Sequence, residues 1–69
     1  MNNQKTENIG RIIAEKRKLA GMTQEALASK LNITPQAISK WENDSGMPDI
    51  SQIVPLASVF GVTTDVLFG

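Results

Sequence analysis

Two closely spaced helix starts near the middle of the chain constrain its fold more than any other feature. Thr23 precedes the helix-forming run QEALA, and Thr34 precedes Pro35. Threonine is a favourable N-cap, and proline suits the first helical position because its missing N–H would have no partner there. Asn32, which tolerates the left-handed conformation, is placed to end the first of these helices. The pattern therefore predicts two short helices joined by about three residues.

The segment before this pair has the apolar spacing of a helix. Ile9, Ile12 and Ile13 recur at helical intervals. They predict a helix from about residue 7 to residue 19, which Gly21 is placed to end in the left-handed conformation. Residues 1–6 are polar and have no apolar period, so we expect a flexible N-terminal tail followed by one domain over residues 7–69.

The segment after this pair predicts two further helices. The turn-forming run NDSGMP ends the preceding helix, and apolar residues at helical spacing follow it up to Gly61. Pro55 lies within this apolar stretch, and a proline in a helix interior costs about 3 kcal/mol. We therefore expect the fourth helix to begin late, near Ser51 or Gln52, so that Pro55 falls near its first turn. Another threonine precedes a last short helix over residues 64–68.

The absence of cysteine and histidine limits what can stabilise this fold. The chain has 69 residues, no cysteine and no histidine. No disulfide or thiolate metal site can therefore supplement a core that is small in any domain of this length. Such domains rely on compact helix packing or on oligomerisation. The fold class expected is all-α, a compact bundle of five short helices.

The same composition argues against catalysis. Histidine is the commonest general base and metal ligand, and the sequence also lacks a glycine-rich phosphate loop and clustered carboxylates. We therefore expect no enzyme activity, no metal and no cofactor. No apolar run approaches the roughly 20 residues that a spanning helix needs, and the N-terminus lacks the apolar stretch of a signal peptide. These features predict a cytoplasmic protein without a membrane partner.

The charges are unevenly distributed, although the formal net charge is zero. All the lysines and arginines lie between Lys5 and Lys40, and from Trp41 onward the only charged residues are acidic. Such an asymmetry favours a polyanionic partner for the basic part. In a short chain it can also arise by chance, so it supports a nucleic-acid partner only together with other evidence.

The second threonine-capped helix has the pattern of a helix that reads the major groove of DNA. Ile38 and Trp41 share one face and can pack inward, which leaves Gln36 and Lys40 pointing elsewhere. Glutamine can pair with adenine, lysine can donate to guanine, and Ala37 can touch a thymine methyl group. Trp41 has two interpretations, a core residue or a base-stacking residue, and its spacing from Ile38 favours the core.

The run GMTQEALASKLNITPQAISKWENDSGMPD resembles the phage-repressor-like helix-turn-helix family, which includes Cro and related repressors and xenobiotic-response-element regulators. The resemblance covers residues 9–68, and it combines the runs TQEALA, ISKWEN and VTTDVLF at the family's spacings. It implies a lambda-repressor-like bundle whose recognition helix lies at about 34–43.

The resemblance also implies site residues. Base contacts are expected from Thr34, Gln36, Ala37 and Lys40. Phosphate contacts are expected from Gln24, Ser39 and Asn43. Arg17 and Glu42 match a structural ion pair that ties the first helix to the recognition helix.

Three positions depart from the family pattern or allow two interpretations. Pro35 stands where several relatives have a polar base-reading side chain, so hydrogen-bonded readout is lost there. Asn32 replaces the more usual glycine in the turn. Lys16 stands where relatives often have leucine, so we expect its stem to pack and its ammonium group to reach solvent. From there the ammonium group is expected to make a further phosphate contact. With Arg17 and Lys18 it forms either a phosphate clamp or a solvated basic face.

The leading functional hypothesis is a sequence-specific, double-stranded DNA-binding transcriptional regulator, with repression as the expected effect. A single recognition helix contacts few base pairs, so we expect a homodimer on a palindromic operator with half-sites roughly 34 Å apart. Dimerisation is expected through the C-terminal helices or a further C-terminal domain.

The late apolar residues divide between core and surface in this hypothesis. Ile53, Leu56, Ala57 and Phe60 are predicted to be core, and residues 66–68 to be partly exposed. The alternative function is a protein–protein module whose acidic half binds a basic partner.

Overall fold

The predicted all-α class is confirmed by a computed structural model that describes residues 4–67, with side chains described for residues 9–67. Its helices are α1 (Gln4–Leu19), α2 (Gln24–Leu31), α3 (Pro35–Glu42), α4 (Ile50–Phe60) and α5 (Thr64–Leu67). No β-strand occurs between residues 4 and 67. Helix α1 begins earlier than the predicted residue 7, so part of the predicted tail is helical. Residues 1–3 of that tail, and Phe68 of the predicted last helix, lie outside the described residues.

The local signals that predicted the helix ends are present in the structure. The Thr23 hydroxyl accepts a hydrogen bond from the Ala26 N–H at 2.9 Å, and the Thr34 hydroxyl accepts one from the Ala37 N–H at 3.2 Å. Asn32 has a φ of 59°, so it adopts the left-handed conformation expected between α2 and α3. Each of these contacts is made within a few residues along the chain, which is why the sequence predicted them.

The predicted late start of α4 is wrong. The carbonyl of Asp49 accepts a hydrogen bond from the Gln52 N–H at 2.8 Å, and the helix begins at Ile50. Pro55 therefore lies inside α4 rather than in its first turn, and it supplies no N–H to the carbonyl of Ser51. Both Ser51 and Pro55 are exposed, so water can solvate that carbonyl. Burial of the opposite face of α4 offsets the rest of the free-energy cost of placing a proline inside the helix.

The core runs through all five helices. Its buried apolar residues are Ile9, Ile13, Leu27, Ala28, Leu31, Ile38, Trp41, Ile53, Leu56, Ala57 and Leu67. Trp41 is 8% exposed, which confirms that it is a core residue. Leu67 is fully buried, which corrects the expectation that it is partly exposed, whereas Val66 is 37% exposed as expected. The exposure predicted for Phe68 lies outside the described residues. Phe60 is only half-buried, at the edge of the core.

Helix α1 crosses the C-terminal end of α3 with the two backbones in contact. A Cβ atom built on Gly10 would lie 2.1 Å from the carbonyl oxygen of Trp41, far inside van der Waals contact. Only glycine permits this approach, because any side chain would push the helices apart. The crossing fixes the position of α3 relative to α1, and so fixes how far α3 projects from the domain.

Candidate nucleic-acid interface

Helix α3 is held to the domain by one face and open to solvent on the other. Ile38 is fully buried and Trp41 nearly so. Thr34, Gln36 and Lys40 are exposed, although they lie on the same short helix. An amphipathic helix with this distribution can present its polar side chains to a ligand without losing its packing. This is the arrangement required of a helix that enters the major groove.

The four residues predicted to contact bases lie around one concavity beside α3. The concavity has a volume of about 380 Å³. It is lined by Thr34, Gln36, Ala37, Lys40, Trp41, Ser45, Gly46 and Met47. The structure therefore brings the predicted base-contacting residues together on one open surface.

The other wall of this concavity was not predicted from the sequence. The N–H groups of Ser45 and Gly46 donate to the carbonyl of Lys40 at 2.9 and 3.3 Å, so the chain turns back along α3. Met47 follows on this segment and is 51% exposed. The run NDSGMP predicted only that a helix ends here. A large apolar residue among turn residues was the one available signal that this segment does more.

An ion pair joins α1 to α3. The Arg17 Nε donates to Glu42 Oε2 at 2.7 Å, and the Arg17 Nη2 donates to Glu42 Oε1 at 3.0 Å. The remaining Arg17 Nη1 donates to the carbonyl of Met22 at 2.8 Å. The side chains of Arg17 and Glu42 are 11% and 10% exposed. A bidentate ion pair with little solvent contact fixes the relative position of α1 and α3 more firmly than a surface ion pair would.

Gln24, predicted to contact phosphate, belongs to the same network. Its Nε2 donates to Glu42 Oε1 at 3.0 Å, and the residue is half-buried at the start of α2. An amide nitrogen carries two hydrogens, so one donor and the amide oxygen remain for a ligand. The structure thus orients Gln24 through Glu42, a role that the sequence did not reveal.

The other residues predicted to contact phosphate are Asn43, Ser39 and Lys16. Asn43 is exposed, and its Oδ1 accepts a hydrogen bond from the Ser45 N–H at 3.0 Å, so its amide hydrogens stay available. Ser39 on α3 and Lys16 on α1 are both half-buried. For Lys16 this burial agrees with a stem that packs while the ammonium group reaches outward.

The ion pair and its neighbours determine the pKa of Glu42. Burial raises the pKa of Glu42, but the hydrogen bonds from Arg17 and Gln24 and the charges of Arg17 and Lys18 outweigh it. The pKa of Glu42 is consequently lower than its ordinary value. Lys18 was interpreted, with Lys16 and Arg17, as part of either a phosphate clamp or a solvated basic face, and it is exposed in the structure.

The lowered pKa of Glu42 predicts a specific loss of stability in acid. The unfolded chain titrates this carboxyl near its ordinary value of 4.5, and the folded chain titrates it lower. The contribution is therefore complete above 4.5 and is lost as the pH falls through the folded pKa. We expect urea unfolding midpoints to fall more steeply between about pH 5 and pH 3 for the wild type than for Glu42→Gln. Parallel pH profiles for the two proteins would contradict this assignment.

Comparison with known proteins assigns the class to which this fold and surface belong. A family model described as helix-turn-helix matches residues 13–67, which is most of the chain. The chain belongs to this helix-turn-helix family of DNA-binding proteins. Membership confirms the predicted resemblance to phage-repressor-like domains and the prediction that the domain is not an enzyme.

The curated relatives are named as regulators of transcription. The chain is 37% identical over 62 residues to the HTH-type transcriptional regulator ImmR of Bacillus subtilis (strain 168), covering 90% of this chain and 49% of that protein. It is 46% identical over 46 residues to the 26 kDa repressor protein of Escherichia phage HK022, covering 67% of this chain and 20% of that protein. The chain thus spans about half the length of the first relative and a fifth of the second.

Solved structures with the same fold include an enzyme. Hydroxypropylphosphonic acid epoxidase from S. wedmorenis matches with a TM-score of 0.84 and 26% identity, over 99% of this chain and 36% of that chain. The likeness is therefore confined to about a third of the epoxidase.

Among the described residues of the present chain, no group of three or more acidic side chains is placed to hold a metal ion. No helix within residues 4–67 is long and apolar enough to cross a membrane.

Proposed function

We propose that this chain is the sequence-specific DNA-binding part of a transcriptional repressor that acts in the cytoplasm and inserts α3 into the major groove. One observation carries the proposal. The residues expected to contact bases surround a single open concavity, while Ile38 and Trp41 hold the opposite face of α3 in the core. Gln36 and Lys40, both exposed, supply the donors and acceptors that base edges require.

The start of α2 supplies the phosphate contacts in this proposal. Gln24 is oriented by Glu42 and retains a free amide hydrogen. Lys18, an exposed residue near the end of α1, supplies a cation whose charge lowers the pKa of the same carboxylate. Phosphate contacts of this kind set the register of the protein on the duplex but carry no sequence information. Readout is therefore assigned to α3 and positioning to α2.

A homodimer on a palindromic operator completes the proposal. One recognition helix reads few base pairs, and a two-fold axis places a second copy one helical turn away, roughly 34 Å. Ile50 and Val54 on α4 are 85% and 65% exposed, and Val66 on α5 is 37% exposed. Exposed apolar side chains of this size support an interface formed through the C-terminal helices. The repressor of phage HK022 supports repression as the effect, although another relative, BcrR of Enterococcus faecalis, is named an activator.

Two glutamine substitutions test the division between readout and positioning. With a duplex selected from random DNA, Gln36→Ala is expected to lose about 1–3 kcal/mol of binding free energy and to relax preference at one base position. Gln24→Ala is expected to weaken binding to all sequences alike, because it removes a phosphate contact. Binding to the selected duplex and to single-base variants of it is measured by titration at several salt concentrations.

Gln52→Ala provides the matched control, because it makes the same chemical change on α4, away from the concavity. It should leave both affinity and base preference unchanged. Equal weakening of all sequences by Gln36→Ala and Gln24→Ala would refute the assignment of readout to α3. Weak duplex binding that does not change with salt would refute the regulator proposal as a whole, since phosphate contacts make affinity fall steeply with salt.

A further inference from the structure

The lining of the α3 concavity is partly apolar. Ala37 and Trp41 on α3 and Met47 on the segment that follows α3 all line it. Met47 is 51% exposed, so a large apolar side chain remains in solvent next to the residues proposed to read bases. Neither the sequence pattern nor the phosphate contacts explain why an apolar group should lie there.

The wall that carries Met47 is held in place by hydrogen bonds. The carbonyl of Lys40 accepts from the N–H groups of both Ser45 and Gly46, and the Oδ1 of Asn43 also accepts from Ser45. A Cβ atom built on Gly46 would lie 3.8 Å from the Cβ of Lys40, so this segment runs in contact with α3. The residue after Met47, Pro48, is buried and anchors the far end. The concavity is therefore a preformed feature of the surface.

The chemistry of DNA limits what these apolar lining residues can receive. Among the groups that base pairs present in the major groove, the C5-methyl group of thymine is the apolar one. We propose that Ala37, Trp41 and Met47 form a pocket for the C5-methyl group of a pyrimidine, in which Met47 determines specificity. The inference rests on the proposed function, and it adds a wall from outside the recognition helix to the contact expected from Ala37 alone. The polar lining residues Gln36 and Lys40 then remain for hydrogen bonds to base edges.

Replacing thymine with deoxyuridine tests the pocket directly, because it removes the methyl group and changes nothing else. In a duplex selected from random DNA, each thymine is replaced in turn and the dissociation constant is measured. For the wild type we expect one position in each half-site to lose about fourfold in affinity, the factor for one buried methyl group. In Met47→Ala the loss at that position should shrink to the level of the other positions.

Leu19→Ala is the control, since Leu19 is 81% exposed and lies outside the concavity. It should keep the wild-type deoxyuridine profile, and circular dichroism of both variants confirms that they are folded. A flat profile on a tightly bound duplex would overturn the methyl pocket and leave the proposed function intact. If Met47→Ala binds every duplex more weakly but shows the same loss at the same deoxyuridine position as the wild type, Met47 contacts the DNA backbone and not the methyl group. Failure of the wild type to bind any duplex would overturn the proposed function itself.

Discussion

Replacing Gly10 with alanine is expected to lower the free energy of unfolding by about 2–4 kcal/mol. The added Cβ would lie 2.1 Å from the carbonyl oxygen of Trp41, and the obstacle is backbone rather than a flexible side chain. Alanine normally stabilises a helix interior by about 1 kcal/mol relative to glycine, so the expected sign is opposite to helix propensity. For a domain whose total stability is about 5–10 kcal/mol, the loss is large. Urea unfolding followed by circular dichroism measures it.

Gly46→Ala is the matched control for this experiment. A Cβ atom there would meet only the Cβ of Lys40, at an ordinary 3.8 Å, and Gly46 has no positive φ. Its unfolding free energy should change by less than about 1 kcal/mol. If Gly10→Ala were as stable as Gly46→Ala, α1 and α3 would not be in backbone contact, and the position of α3 would have another cause.

Replacing Glu42 with alanine is expected to cost about 3–5 kcal/mol, because it leaves Arg17 nearly buried without its carboxylate. Arg17 is 9% exposed and donates to both oxygens of Glu42. The substitution also removes the acceptor that orients Gln24. We therefore expect DNA affinity to fall even under conditions in which the variant remains folded. Chemical unfolding and DNA titration at the same pH measure the two effects separately.

Two further variants separate the causes. Glu25→Ala removes an exposed glutamate from the first turn of α2 and should cost no more than about 1 kcal/mol. Glu42→Gln keeps the shape and one acceptor oxygen but removes the charge, so its cost should lie between those of the two alanine variants. Equal stability of Glu42→Ala and Glu25→Ala would show that the Arg17 pair is solvated and contributes little.

Both substitutions change the contacts that hold the C-terminal end of α3 in place, although neither residue is proposed to contact a base. Gly10 permits the close crossing at the C-terminal end of α3, and Glu42 ties that end to α1. A helix of only eight residues has little stability of its own, so its position depends on such tertiary contacts. The readout proposed for Gln36 and Lys40 can be no more exact than the placement of the helix that carries them.

The predictions from sequence were best where the interaction is local. The caps at Thr23 and Thr34 and the left-handed Asn32 each involve atoms a few residues apart, so residue type alone predicted them. Ile38 and Trp41 were assigned to the core from helical spacing, which is also a local property. The grouping of base-facing residues on one side of α3 follows from the same spacing.

The errors occurred where distant segments compete with a local preference. Propensity favoured a late start for α4, but Asp49 begins the helix earlier and leaves Pro55 inside it. Leu67 was expected to be partly exposed, since nothing near it in the sequence shows that α1 packs against α5. Met47 appeared only as part of a turn, because its position beside Ala37 depends on how the chain returns along α3.

The sequence by itself determined the helices, their caps and the face of α3 that is polar, because these depend on backbone conformation and side-chain spacing over a few residues. The resemblance carried by its motifs supplied the Arg17–Glu42 pair and the family. Only the tertiary structure decided that Gln24 donates to Glu42, that Met47 lines the concavity, and that Gly10 sets the crossing of α1 and α3. Those features join segments far apart in the chain, and they exist only once the core has brought the helices together.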